Sequence, residues 1–283
     1  MIDIRQTSQY GKYLRKKGWN VVQINHVNCF VKKIPLFGSI IKIQRPEIIP
    51  LKKIEALASK YRALQIIIEP KNKLDAKYLK NNKYRKTKGP FLPSKTLHLD
   101  LTKTTDELKR GMKKDARRAI LKTDQVSLSE PQLKDLKGFR TAWKNTVNTK
   151  RYVPSLSSLT ILKKTFNKNA FFFLTKNNSA GAIFLVGDKI SYYWQAFSNS
   201  EGRKSLAQYK IIWEGILKSK AAGAKILDFE GIYDDRFPNK SWQGFTHFKK
   251  SFGGQEIEYP GAFVKILPSI VFEKWKRQML CEN

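Results

Sequence analysis

Two successive runs of strand and helix patterns, parted by a polar stretch at 71–93, do most to limit the folds open to this chain. In the first run, Tyr10, Tyr13 and Leu14 recur at helical spacing and predict a helix over 6–17. Predicted strands follow at 19–24, 29–34 and 39–43. Pro46 and Pro50 interrupt the chain ahead of a helix with Leu51, Ile54, Leu57, Ala58 and Tyr61 on one side. Gln65-Ile66-Ile67-Ile68-Glu69, closed by Pro70, has the profile of a buried strand. Residues 71–93 read as a basic connection punctuated by Gly89-Pro90 and Pro93, which sets a domain boundary near Ser94.

The second run opens with a strand at 96–101. A helix then starts at Thr104 or Thr105, with Asp106 and Glu107 in its first turn, where the helix dipole favours carboxylates. Helices are predicted at 133–147, 157–166 and 206–222, and strands at 170–176, 180–186, 189–197, 225–229 and 259–266. Such alternation, with hairpins among the strands, predicts an α+β chain of two halves rather than one doubly wound sheet. The 283 residues suffice for two domains.

Charge narrows the function. Lys and Arg number 55 against 23 Asp and Glu, a formal charge of +32. A balance this basic suits a polyanionic partner: nucleic acid, an anionic membrane face or a phosphorylated metabolite. Its plainer reading is solubility. No apolar run reaches the roughly 18 residues of a membrane span, and the amino terminus lacks a signal-peptide core, so a soluble cytoplasmic chain is expected.

Several chemistries lack their residues. Cys29 and Cys281 cannot by themselves form a disulfide framework or a four-ligand zinc site. His26, His98 and His247 have no metal-ligand spacing, and neither glycine-rich nucleotide signature nor a nucleophile elbow occurs. What remains is direct transfer between bound substrates, or binding alone.

One stretch is more specific. Leu227-Asp228-Phe229-Glu230-Gly231-Ile232 precedes Gly244-Phe245-Thr246-His247-Phe248-Lys249-Lys250-Ser251-Phe252-Gly253-Gly254. This resembles the Fem family, aminoacyl-tRNA-dependent transferases that build peptidoglycan interpeptide bridges, in which a strand ends D-F-x-G and is followed by G-[LIF]-x-x-F-K-x-x-F-G-G. Gln6-Thr7-Ser8-Gln9-Tyr10-Gly11, Gly18-Trp19, the strand ending Glu69-Pro70, and Leu99-Asp100-Leu101 with the basic helix expected over 109–122 match further family segments in order. Glu230 departs from the family's commoner glycine; related acyl-CoA-using transferases carry the D-F-E-G form, which leaves the donor open.

The resemblance implies two domains of the GCN5-related N-acetyltransferase fold with substrates in a cleft between them and no helical-hairpin insertion. The domains would be 1–94 plus 259–283, and 95–258. It implies transfer from aminoacyl-tRNA, as co-substrate with no further cofactor, to the amine of a nucleotide- or lipid-linked muropeptide precursor. Lys249 matches the family's F-K lysine, a cation for the tetrahedral oxyanion, with Phe248 as adjoining wall; the alternative is Phe248 in core packing and Lys249 in solvent. Glu69 is a candidate base or a strand-end cap. Lys12, with Arg15 as substitute, and Arg151 stand near the family's phosphate-binding positions. Tyr209, with Tyr193 and Trp194, offers a ring for stacking. Lys109, Lys113, Lys114, Arg117 and Arg118 form a face suited to tRNA phosphates, or a solvated helix surface. The tail after Pro268, with Phe272 and Trp275 beside Lys274, Lys276 and Arg277, is expected either on the first domain or in peripheral contact with an anionic membrane.

Overall fold

A computed structural model of the chain describes residues 1–147 and 152–268. The chain divides into two compact units, Ile2–Ser94 joined by the chain from Tyr259 onward, and Lys95–Glu258. The first unit contains α1 (Ser8–Lys16), β1 (Asn20–Ile24), β2 (Val27–Ile34), β3 (Gly38–Gln44), α2 (Leu51–Lys60), β4 (Ala63–Glu69), α3 (Lys73–Asn81) and β5 (Arg85–Lys86). The second opens with β6 (Lys95–Asp100), α4 (Thr105–Gly111), α5 (Lys114–Lys122), β7 (Leu128–Ser129), α6 (Leu136–Val147) and α7 (Leu156–Phe166). It continues through β8 (Ala170–Thr175), β9 (Ala180–Gly187), β10 (Ile190–Ser198), α8 (Ser200–Lys204), α9 (Ala207–Ala221), β11 (Ile226–Asp228), α10 (Gln243–Lys250) and β12 (Gln255–Glu258). Finally β13 (Phe263–Ile266) returns to the first unit.

The first sheet runs β1-β2-β3-β4-β13-β5, with β3 and β4 parallel and its other neighbours antiparallel. Strand β13 lies beside β4 because Phe263 falls opposite Ile68 and is itself buried. The apolar side of α2 (Leu51, Ile54, Leu57, Ala58) covers Ile41, Ile43, Ile66 and Ile68, an amphipathic helix on one sheet face. The second sheet runs β12-β6-β11-β10-β9-β8-β7. Here β8 and β9 are buried at every residue, which accounts for their continuous apolar runs. The parallel pair β10 and β11 shares three register positions, Ile190 with Ile226 through Tyr192 with Asp228, and the β9–β10 register shifts between Tyr193 and Gln195.

The expected α+β class in two domains is borne out. The longest helix described, α9, has 15 residues, so no long helical hairpin occurs among the described residues. Other expectations need correction. The stretch 71–93 holds helix α3, whose Asn72 cap accepts a hydrogen bond from the Asp75 N–H and whose buried side is only Ala76 and Leu79; with Leu74 and Tyr78 exposed, its apolar residues mark no single face. The single basic helix over 109–122 is two helices. Met112 and Lys113 are extended (ψ 152 and 153), the Lys113 N–H donates to the Ser251 carbonyl at 2.8 Å, and Arg117 Nη1 donates to the Met112 carbonyl at 2.5 Å. Between the strand predicted at 189–197 and the helix predicted at 206–222 stands a further short helix, α8, capped by Asn199. The strand expected over 259–266 occupies only its second half.

Close packing of α9 on its sheet gives a direct test. A Cβ on Gly215 would come within 2.6 Å of Phe184 Cε1. Phe184 is fully buried and hemmed in by Phe173 and Tyr193, with centroids at 5.8 and 5.3 Å. Gly215→Ala therefore overpacks the core by more than the roughly 1 kcal/mol of helix propensity it gains. The expected net loss is about 2 kcal/mol, read as a lower urea midpoint with unchanged slope.

Candidate functional site

Strand β11 ends on Asp228, only 2 % exposed, and the turn after it is fastened to β6. Asp228 Oδ1 accepts from Thr96 Oγ1 at 2.6 Å and from the Glu230 N–H at 2.8 Å, while Oδ2 lies 3.2 Å from His98 Nε2. Thr96 Oγ1 in turn accepts from the Gly231 N–H at 3.2 Å. Backbone bonds from Phe229 to the Leu97 carbonyl and from Ile232 to the Lys95 carbonyl close the turn at both ends. Held this way, Glu230 adopts φ 53, a left-handed conformation that a glycine would take at less cost.

The turn directs two carbonyls at Lys249 on α10. Its Nζ donates to the Phe229 oxygen at 2.7 Å and the Gly231 oxygen at 2.6 Å. Lys249 is 8 % exposed, and its ammonium lies over the Phe245 and Tyr193 rings at 5.0 and 5.7 Å from their centroids. An ammonium tolerates such burial because carbonyl dipoles and ring faces replace water. Lys249 thus does not point to solvent.

An aromatic wall adjoins it. Tyr209, near the start of α9, meets Phe248 edge-on at 4.8 Å and lies over Phe252 at 5.6 Å, and Phe252 continues to Phe229 at 6.0 Å. Phe252 is core, and Phe248 is half-buried against it. The two glycines that follow also have a structural reason. Gly253 and Gly254 adopt φ 83 and 100, and a Cβ on either would come within 2.8 Å of the Gly111 or His98 carbonyl oxygen. Just beyond, the Glu256 carboxyl is held below its ordinary range by hydrogen bonds from Lys250 and then Lys95.

Lys249, Phe248 and Tyr209 are therefore brought together, with Tyr193 beside them. Glu69 belongs to the first unit and is 4 % exposed; its Oε1 accepts from the Leu92 N–H at 2.6 Å and its Oε2 from Gln44 Nε2 at 3.0 Å. It lines a cavity of about 10 Å³, room for one water. Lys12 and Arg15 are exposed on α1, where Arg15 donates to the Val21 carbonyl at 3.1 Å. Trp194 is half-buried on β10. Lys109, Lys113, Lys114, Arg117 and Arg118 are all exposed along α4 and α5, with Lys109 over the Trp213 ring at 5.4 Å. Arg151 and the tail from 269 lie outside the described residues.

Sequence reasoning missed Thr96 and His98 as partners of Asp228. The strand alternation around them was visible, but only sheet order sets β6 beside β11. Among the described residues no group of His, Cys, Asp and Glu could hold a metal ion, and no helix is long and apolar enough to cross a membrane. Burial pushes the Cys29 thiol up to about 12, so it stays protonated and unreactive at neutral pH.

The FemAB family model matches residues 174–274, a stretch containing Tyr209, the Asp228 turn, Phe248 and Lys249. Over that stretch the sequence matches the FemAB family, and the resemblance read from the motifs is borne out. That match supports an acyltransferase. No curated protein matches the chain. Among solved structures, the crystal structure of FemX is 17 % identical with TM-score 0.79, covering 96 % of this chain and 94 % of its own. The C-terminal DUF2156 domain of a candidate lysylphosphatidylglycerol synthetase from Agrobacterium fabrum is 13 % identical with TM-score 0.65, covering 92 % and 88 %. L-PGS from Bacillus licheniformis is 11 % identical with TM-score 0.61, covering 95 % and 89 %. At these identities the likeness is one of fold.

Proposed function

We propose that the chain transfers an amino acid from aminoacyl-tRNA to the amine of a peptidoglycan precursor stem peptide. The observation that carries this reading is the buried Lys249 ammonium, fixed by the Phe229 and Gly231 carbonyls beside the Tyr209–Phe248 wall, inside the FemAB-matched stretch. The donor ester is already activated. The neutral acceptor amine attacks its carbonyl carbon, a tetrahedral oxyanion forms, and the ribose oxygen departs with the proton that the nitrogen loses. Lys249 supplies a fixed positive charge for the oxyanion, which needs no reorganisation as the charge develops. Glu69 is the candidate base that takes a proton from the acceptor ammonium before the attack, leaving the amine neutral. Lys12 and Arg151 would pair with phosphates of a nucleotide- or lipid-linked acceptor, and the α4–α5 cations with the phosphates of an acceptor stem. The expected place of work is the cytoplasm. No cofactor beyond the charged tRNA is required.

Incubating the protein with a mixture of charged tRNAs and muropeptide precursors is expected to add one amino-acid mass to the acceptor by mass spectrometry. No added mass from any charged tRNA overturns the reading. Glu230, where the family more commonly has glycine, favours a second: an N-acyltransferase using acyl-CoA. Titration calorimetry with coenzyme A separates the two, since a tRNA-dependent enzyme shows no saturable heat.

A further inference from the structure

At one end of the first sheet, an apolar tip projects among cations. The β2–β3 connection is Pro35-Leu36-Phe37, with the Phe37 N–H donating to the Ile34 carbonyl at 3.2 Å. Proline followed by a residue of positive φ is the pattern of a type II turn, whose third position ordinarily goes to glycine or asparagine. Here Leu36 occupies it at φ 67. Leu36 is 95 % exposed and Phe37 63 %. The tip therefore opposes two preferences at once: a branched side chain in left-handed backbone, and large apolar groups in water. The rest of the turn is well determined, because a Cβ on Gly38 would run into the Arg62 carbonyl oxygen.

Strand register gathers further segments at the same end. Ser39 pairs with Ala63 and Asn20 with Val31, so the α2–β4 turn and the α1–β1 connection both lie beside the tip. These segments and the flanks of the hairpin contribute Lys16, Lys17, Lys32, Lys33, Lys60 and Arg62, and neither 16–19, 32–42 nor 60–62 contains a carboxylate. Trp19 lies among them, with Lys32 and Lys42 ammoniums 5.7 and 5.8 Å from its ring centroid.

We propose that this end of the first unit docks on an anionic phospholipid bilayer, with Leu36 and Phe37 entering the acyl boundary and the surrounding cations meeting lipid phosphates. Cations ringing an apolar projection are what an anionic interface rewards, since neither signal alone holds a protein there firmly. A nucleic-acid surface would account for the lysines but not for an exposed leucine at a convex tip.

The test is co-sedimentation of the full chain with vesicles of phosphatidylcholine plus phosphatidylglycerol, against phosphatidylcholine alone. The native chain is expected to bind the anionic vesicles selectively. Leu36→Ser with Phe37→Ser is expected to weaken that binding at least about tenfold, and Lys33→Glu with Arg62→Glu by a similar factor. Both variants should keep the native melting temperature. The proposal is overturned if the native chain stays in the supernatant, or if the serine variant sediments as the native chain does. It is equally overturned if the serine variant melts earlier, which would mean that the tail or a second copy covers the tip, or if it loses tRNA affinity instead. No acyl donor is present in this assay, so its failure leaves the transfer reading untouched.

Discussion

Lys249→Met is expected to lower transfer by at least about a hundredfold and stability of the second unit by about 3 kcal/mol. The substitution keeps much of the volume and removes the donors. Two carbonyls, of Phe229 and Gly231, then lose a charged partner in an interior where water does not reach Lys249 freely. A hydrogen bond to a charged group contributes about 1.5–3 kcal/mol, and a buried acceptor left unmade carries its full desolvation penalty. The turn stays tied to β6 through Asp228 and Thr96, so it shifts rather than unravels. Displacing a positioned group by about 1 Å is enough to cost two orders of magnitude in rate. Two measurements separate positioning from charge. Urea unfolding reads the loss of the carbonyl contacts, and initial rates at saturating acceptor, well below the unfolding transition, read the loss of the cation. An unchanged midpoint would show that the turn does not depend on Lys249. A retained rate would remove the lysine from the chemistry.

Much of the fold was legible because its signals are local. The apolar periodicity of α2 and the β-branched run of β4 each lie within one element and need no partner to be read. Where the signal was thin, the reading failed: α3 buries only Ala76 and Leu79, and α4 and α5 are divided by backbone that turns to meet Ser251. The site was legible in part for a related reason. The motif located Lys249 in the chain, but its partners arise 18 and 20 residues upstream and reach it only through the β11 turn. His98 and Thr96 contact Asp228 from 130 and 132 residues away, across a strand pairing that no periodicity reports. Charged residues are the hardest case, because a buried ion pair and a solvated one are spelled identically.

Asp3 is such a residue, and its removal is the second large effect. It is 5 % exposed between two guanidinium groups that are each 2 % exposed, Arg5 and Arg45. Its Oδ1 accepts from the Arg5 N–H at 2.9 Å and from Arg5 Nη1 at 3.2 Å, and its Oδ2 lies 3.2 Å from Arg45 Nη1. Arg45 also donates to the Pro93 carbonyl at 2.8 Å and lies 3.7 Å over the Tyr259 ring. One carboxylate thereby joins the amino-terminal segment, the end of β3 and, through Arg45, Pro93 and Tyr259, where the chain leaves this unit and returns to it. Asp3→Ala leaves two guanidinium groups without their shared countercharge in a setting too dry to hydrate them. Breaking a buried pair from one side costs about 3–5 kcal/mol, whereas a surface pair costs less than about 1. Hydrogen exchange resolves where the loss falls. Slow amides of β3 and β4 are expected to exchange about a hundredfold faster or more, following the same free energy. Asp3→Asn, which keeps an acceptor but no charge, should fall between the native chain and the alanine variant. If β3 and β4 in Asp3→Ala keep native protection, the two arginines are held by their backbone and ring partners, and the carboxylate is not the centre of this unit's polar core.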